Sequence, residues 1–313
     1  MNSFFRNLAV YAERSERVEA VDSPRGADIV LTAGHFRGPG APLRGFHARN
    51  AAAGRAVDSP LGLILSGSRG KRPKLVFRLD GLRSVYAGNG PSAADRRLLA
   101  NLEHADAAVF QSGFAEECFE KAGAPLPEKR ATVLNGADAE VFRPADEPPP
   151  SDGPTRLVSV SWSKNERKGF ADIAEFSKLA GARVRHIGRW PESVPSEKVE
   201  LLGTRKPREI AEILRDSQFL LFPSRDEACP NAVAEALACG VPVIYHDSGG
   251  TPELCGHGEY GLPLPEDAPG YADFAASLPE IFPRLRENIL RDIGRFSFER
   301  CFEEYLDFLE TLL

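Results

Sequence analysis

Residues 222–253 read FPSRDEACPNAVAEALACGVPVIYHDSGGTPE, and this stretch decides the fold. The segment leading into it, Gln218-Phe219-Leu220-Leu221-Phe222, is a short apolar run of buried-strand type, ended by Pro223 and Ser224. A helix must begin soon afterwards. Asn231 is the expected N-cap, Ala232 to Cys239 are mostly strong helix formers, and Gly240 before Val241-Pro242 supplies a left-handed stop and a breaker. Strand, loop and short helix in this order, with glycines on either side, make one βα unit of a parallel sheet.

The chemistry of the stretch lies in two carboxylates. Glu235 stands four residues past the expected cap, and helical side chains lean back toward the N-terminus, so its carboxylate is expected to face the loop holding Glu227. The backbone N–H groups at the helix start, those of Asn231 and Ala232 among them, have no intrahelical acceptor and carry partial positive charge, which suits a phosphate. Carboxylates suit neighbouring hydroxyls. A sugar phosphate satisfies both demands. The same residues also allow a plainer reading, in which Glu235 complements the helix dipole and Glu227 is a solvated loop acid.

This segment, with its two glutamates separated by seven residues, closely resembles the signature of the retaining glycosyltransferases of family four. The resemblance implies that Glu227 lies against the donor sugar and Glu235 holds the ribose of the nucleotide. It also implies that Gly249-Gly250-Thr251-Pro252-Glu253 forms a second turn facing phosphate and sugar, where glycines let the backbone approach a ligand closely. Upstream, Ser161-Trp162-Ser163-Lys164-Asn165-Glu166-Arg167-Lys168-Gly169 follows a strand and opens a helix, a place that suits a diphosphate. The family carries a lysine followed by glycine here, matched by Lys168-Gly169. Many members place an arginine some six residues earlier, and this chain has Trp162 there, with Ser163 and Lys164 beside it. Lys164 is expected to substitute for that arginine as a point charge without its planar fork.

At 313 residues the chain is long enough for two cores. A net charge of -6 argues against a general nucleic-acid binder. The five cysteines are odd in number and lack CxxC or metal spacing, so they read as reduced, structural residues of a cytoplasmic protein. Six histidines without ligand spacing, and no acidic triplet, predict no metal, and no cofactor is expected beyond the nucleotide-sugar substrate. No apolar stretch approaches the ~18–20 residues of a membrane span. The basic run Arg69-Gly70-Lys71-Arg72-Pro73-Lys74 suits at most a peripheral membrane contact or an anionic acceptor, and is more often a solvated loop.

The C-terminal half alternates strand and helix: Arg156–Val160, a helix from Phe170 to Leu179, Val184–Ile187, Val199–Leu202, a helix Pro207–Arg215, then the signature. In such a doubly wound sheet the loops after Val160, Phe222 and His246 converge at the carboxyl ends of the strands, where ligands bind. In the N-terminal half, Asp28–Thr32, Lys74–Leu79, Ala107–Gln111 and Ala131–Leu134 are expected strands, and Pro91–Ala105 an expected helix. Phe142 to Pro154 is too rich in proline for a core element and reads as the linker. Beyond Tyr271 the chain is helical, with Phe298, Phe302, Tyr305, Leu306 and Leu309 at helical spacing.

The resulting expectation is an α/β chain of two facing Rossmann-like domains, similar to the GT-B architecture. Residues 1–147 form the acceptor side, 153–295 bind the nucleotide sugar, and 296–313 form a helix that crosses back to the first domain. The resembling family begins with a strand and a glycine-rich loop before the helix that here starts at Met1, so a translation start further upstream is expected. Arg78-Leu79-Asp80-Gly81 closes a strand where many relatives have a histidine near the reacting sugar, and Asp80 is the nearest equivalent; Asp-Gly is also an ordinary turn. The expected activity is retaining, metal-independent transfer of a sugar from a nucleotide donor to a glycan or lipid-linked acceptor. The rivals are a noncatalytic nucleotide-sugar-binding module and a nucleotide-sugar epimerase on the same scaffold.

Overall fold

The computed structural model describes residues 3–15, 17–21, 27–33, 61–65, 74–87, 90 and 92–313. The basic run at 69–73, and His35 and His47 among the six histidines, lie outside the described residues. The chain divides into two compact units, Met1–Leu134 with Cys301–Leu313, and Asn135–Arg300. The proline-rich stretch from Phe142 falls within the second unit, and hydrogen bonds explain why. Arg286, buried on the helix Tyr271–Arg291, donates through Nη2 to the Ala145 carbonyl and through Nη1 to the Gly240 carbonyl, both at 3.0 Å.

The second unit is a parallel sheet of six strands: β7 (Thr155–Ser161), β8 (Ala182–Gly188), β9 (Val199–Gly203), β10 (Phe219–Phe222), β11 (Val243–Tyr245) and β12 (Gly261–Pro263). Their spatial order is β12-β11-β10-β7-β8-β9, and every pairing is parallel. All four residues of β10 are buried, as continuous apolar runs require when both faces of a parallel sheet are covered. One face packs Leu157, Phe219, Leu221 and Ile244 against Phe170, Phe176 and Leu278. The order places β10 between β7 and β11 in the middle of the sheet, so the loops leaving these three strands emerge side by side.

The first unit is a mixed sheet of β1 (Val18–Val21), β2 (Ile29–Thr32), β3 (Leu61–Leu65), β4 (Lys74–Leu79), β5 (Ala107–Phe110) and β6 (Lys129–Thr132), in the order β1-β3-β2-β4-β5-β6. Four strands run parallel from β2 to β6, and β3 pairs antiparallel with both β1 and β2. The strand expected at Ala131–Leu134 begins instead at Lys129, on a sheet edge where exposed Lys129 and Arg130 are tolerated. The helix Ala93–Leu102 is opened by a capping box: Ser92 Oγ accepts from the Asp95 N–H at 3.1 Å, and the Asp95 carboxylate accepts from the Ser92 N–H at 3.0 Å.

The last helix, Phe298–Glu310, completes the first unit from Cys301 onward. Its apolar stripe buries Phe302, Tyr305, Leu306 and Leu309, the periodicity visible in the sequence. Phe4, on the helix Ser3–Ser15, packs its ring 5.6 Å from Phe302 and 5.1 Å from Tyr305, and the guanidinium of Arg78 lies 3.9 Å above it. Arg17 adds a charged clamp to Glu303, Asp307 and Glu310 of the same helix.

Candidate functional site

The cluster with chemistry lies at the carboxyl ends of β7, β10 and β11. After β7 the chain folds into a tight turn in which side chains replace backbone partners. Ser161 Oγ donates to the Ser163 carbonyl at 2.8 Å, Ser163 Oγ accepts from the Asn165 N–H at 3.1 Å, and Asn165 Oδ1 accepts from the Arg167 N–H at 3.0 Å. A 3-10 turn over Glu166–Lys168 then ends on Gly169 at φ 71°. A Cβ on Gly169 would stand 2.4 Å from the Pro223 carbonyl oxygen, so only glycine lets the two loops close up.

This closeness brings Lys168 to Glu227. Lys168 Nζ forms an ion pair with Glu227 Oε1, and Ser224 Oγ donates to the same oxygen at 2.7 Å. Both charged side chains are largely covered, at 25% and 20% exposure, so their attraction is less screened than that of a surface pair. The third loop closes on the same place. Gly249 has φ +73°, and the Gly250 N–H donates to the Glu227 carbonyl at 2.8 Å. Thr251 is fully buried, and its hydroxyl has no hydrogen-bond partner.

Glu235 lies on the helix Asn231–Ala238, half-buried. Among the described residues no hydrogen bond or ion pair reaches it, and burial pushes its carboxyl up to about 7. It is not joined to the Lys168–Glu227 pair by any hydrogen bond.

One expectation is corrected here. Asn231 is the first helical residue and Pro230 is the N-cap, because the Asn231 side chain is engaged elsewhere: its Oδ1 accepts from Asn135 Nδ2 at 3.0 Å. Lys164 does not join Lys168 at the acids. Its Nζ pairs with Glu192 at 3.0 Å, in an exposed position. Ser163 serves the turn, and Trp162 stands 54% exposed beside it. Asp80 belongs to the first unit, where it ends β4 and accepts from Arg78 Nη1 and Gln111 Nε2.

Sequence reasoning passed over several residues that hold this cluster. Arg167 pairs with Asp226, and Ser248 bonds Asp226 twice. Further out, Arg225 Nη2 lies 2.6 Å from His246 Nε2, which stands 3.5 Å from Asp172 Oδ2, while Tyr271 donates to Asp172 Oδ1 at 2.8 Å. Burial would raise the Asp172 carboxyl, but its hydrogen bonds to His246 and Tyr271 outweigh that and hold it below the usual range. The one available signal was the polar content of Ser224-Arg225-Asp226 and His246-Asp247-Ser248, directly after buried strands. Among the described residues, no group of three or more His, Cys, Asp or Glu side chains could hold a metal ion, and no helix is long and apolar enough to cross a membrane. None of the five cysteines is in a disulfide among the described residues.

Comparison with known proteins agrees with this geometry. Residues 168–280 match the sequence profile of the family described as glycosyl transferases group 1. The chain is 27% identical over 258 residues to N-acetyl-alpha-D-glucosaminyl L-malate synthase of Bacillus anthracis, covering 75% of this chain and 65% of that protein. It is 26% identical over 234 residues to alpha-maltose-1-phosphate synthase of Mycolicibacterium smegmatis, covering 65% and 60%. The chain thus spans less than two thirds of the length of these relatives. Among solved structures, a sucrose-phosphate synthase from Thermosynechococcus elongatus superposes with a TM-score of 0.63 at 20% identity, over 77% of this chain and 68% of that one. Anabaena HepE in complex with UDP and glucose gives 0.62 at 17% identity, over 77% and 72%. At such identities the likeness is one of fold, the GT-B pairing of two α/β units. The match runs from Lys168 through both glutamates and the glycine turn, so residues 168–280, within the second unit, resemble a group 1 glycosyltransferase domain.

Proposed function

We infer that the protein transfers a sugar from a nucleotide-sugar donor to a glycan or lipid-linked acceptor, with retention of configuration and without a metal ion. The observation that carries this reading is the Lys168–Glu227 pair, built where the loops after β7 and β10 meet. An ion pair of this kind supplies both halves of a sugar diphosphate site. Lys168, with the N–H groups of Asn231 and Ala232, binds the leaving diphosphate and stabilises the negative charge that grows as the glycosidic bond breaks. Glu227 accepts hydrogen bonds from the donor sugar and sets its angle of approach.

Glu235 is assigned the nucleotide ribose, and Gly249, Gly250 and Thr251 the close backbone approach to phosphate and sugar. Asp80, in the first unit, is assigned the acceptor hydroxyl or the developing oxocarbenium charge. Support for a nucleotide sugar comes from the family match and from HepE, which binds UDP and UDP-glucose. A cytoplasmic location fits five cysteines that form no disulfide among the described residues.

The test is a screen of UDP, GDP and ADP sugars for thermal stabilisation, followed by turnover of the best ligand with Lys168→Ala and Glu227→Ala variants. Each variant is expected to lose about 10²–10³ in kcat, the scale set by removing one charge-stabilising group, while its melting temperature stays within a few degrees. Turnover in either variant equal to that of the native protein refutes the assignment.

A further inference from the structure

The Lys168–Glu227 pair has a twin. One residue earlier on each loop, Arg167 Nη2 pairs with Asp226 Oδ2, and the Arg225 N–H donates to the Arg167 carbonyl at 2.9 Å. Asp226 is held from the third loop as well. Its N–H donates to Ser248 Oγ at 2.8 Å, and that hydroxyl donates back to Asp226 Oδ1 at 3.0 Å. The backbone of Asp226 stands at φ 56°, in the left-handed region that side chains rarely enter. Such a conformation persists only where the surroundings over-determine it, and here contacts from three loops do so.

The two pairs cannot perform the same task. A ligand that takes Lys168 through its diphosphate and Glu227 through a sugar hydroxyl has to part those two side chains as it enters. The Arg167–Asp226 pair keeps its partners, because the bonds from Ser248 and the Arg225–Arg167 backbone link remain in place around it. We propose that Asp226 is a positioning residue: with Arg167 and Ser248 it clasps the loops after β7, β10 and β11, and so keeps the backbone of Glu227 in place while the Lys168–Glu227 pair is exchanged for ligand. The inference rests on the donor-site reading above and adds to it a division of labour between adjacent ion pairs. An aspartate suits the position on two counts, since it tolerates the left-handed region better than most residues and offers both oxygens to partners on different loops.

The experiment uses the full chain, with the donor identified by the screen as substrate and UDP as binding probe. Asp226→Gly keeps the backbone conformation free of strain and removes every side-chain contact; Asp226→Asn keeps the bond to Ser248 and puts an N–H donor where a carboxylate oxygen faced Arg167. Asp226→Gly is expected to lose about 10²-fold in kcat, the scale of a small misplacement of a reacting group, with little change in UDP affinity. Asp226→Asn is expected to lose as much as Arg167→Ala, since both keep the bond to Ser248 and break the pair between the loops after β7 and β10. Arg167→Ala should match the glycine variant, and the double variant should lose no more than either alone, since both act through one clasp. A merely structural residue would lower the melting temperature and the active fraction together, leaving kcat per folded molecule and KM untouched. That pattern, or native kcat in Asp226→Gly, overturns the proposal while leaving the donor site intact. A native protein that neither binds UDP nor turns over any nucleotide sugar overturns the donor-site reading itself.

Discussion

Gly249 lies against the main chain of Glu227 so closely that a Cβ at Gly249 would stand 2.5 Å from the Glu227 carbonyl oxygen and 2.8 Å from its nitrogen. The backbone atoms in the way are those that orient the carboxylate, so neither side can yield without moving it. Gly249→Ala is therefore expected to destabilise the protein by ~1–3 kcal/mol, from a left-handed φ and a backbone clash, and to abolish donor-dependent thermal stabilisation. Melting curves with and without UDP measure both effects; a variant stabilised by UDP as well as the native protein contradicts the expectation.

Glu235 gives a pH dependence with a definite sign. Burial raises its carboxyl from an ordinary 4.5 to about 7 in the folded protein. Between these values the folded state binds the extra proton, so this residue's contribution to stability is fully present below 4.5 and is lost as pH rises through 7. Glu235→Gln cannot ionise and lacks the loss. The melting temperature of the variant relative to the native protein is expected to climb from pH 5 to pH 8, and a difference independent of pH would refute the assignment.

His186 acts in the opposite direction. It is buried on β8, with Ser159 Oγ 2.7 Å from its Nδ1 and the Arg189 carbonyl 3.2 Å from its Nε2. Burial lowers its pKa from 6.5 to about 4. The unfolded chain binds the proton first as the solution is acidified, so stability is lost as pH falls from 6.5 toward 4. His186→Asn should flatten that acid limb in urea titrations collected across this range, at the expense of lower stability at neutral pH from the lost ring contacts with Phe170 and Trp190.

The second unit was legible because both faces of its sheet are covered. Continuous runs such as Phe219–Phe222, bounded by proline and glycine, have few other folds open to them. Pro207 at the first turn of its helix and Gly240 at φ 73° after another marked boundaries that local chemistry dictates. In the first unit β1 and β3 escaped, because four- and five-residue antiparallel strands owe their existence to a partner distant in sequence. At the site, Lys168 and Glu227 were readable from their motifs. Arg167 with Asp226 was not: which residues meet across loops from β7 and β10 is fixed by the strand order β11-β10-β7, and nothing in either loop states that order. Asn231 misled for a related reason, since its capping preference lost to a hydrogen bond from Asn135. The partner of Lys164 was not legible either, because charge alone does not say which way a turn points, and here Lys164 pairs with Glu192.

The helix that finishes the first unit follows the whole of the second unit in the chain. Phe4 and Arg78 precede the second unit in the chain yet meet Phe302 and Tyr305, which follow it, so during synthesis the second unit can fold before the first is closed. Premature termination near residue 300 would release a chain with a finished second unit and an unsealed first one, exposing aromatic surface to chaperones and proteases.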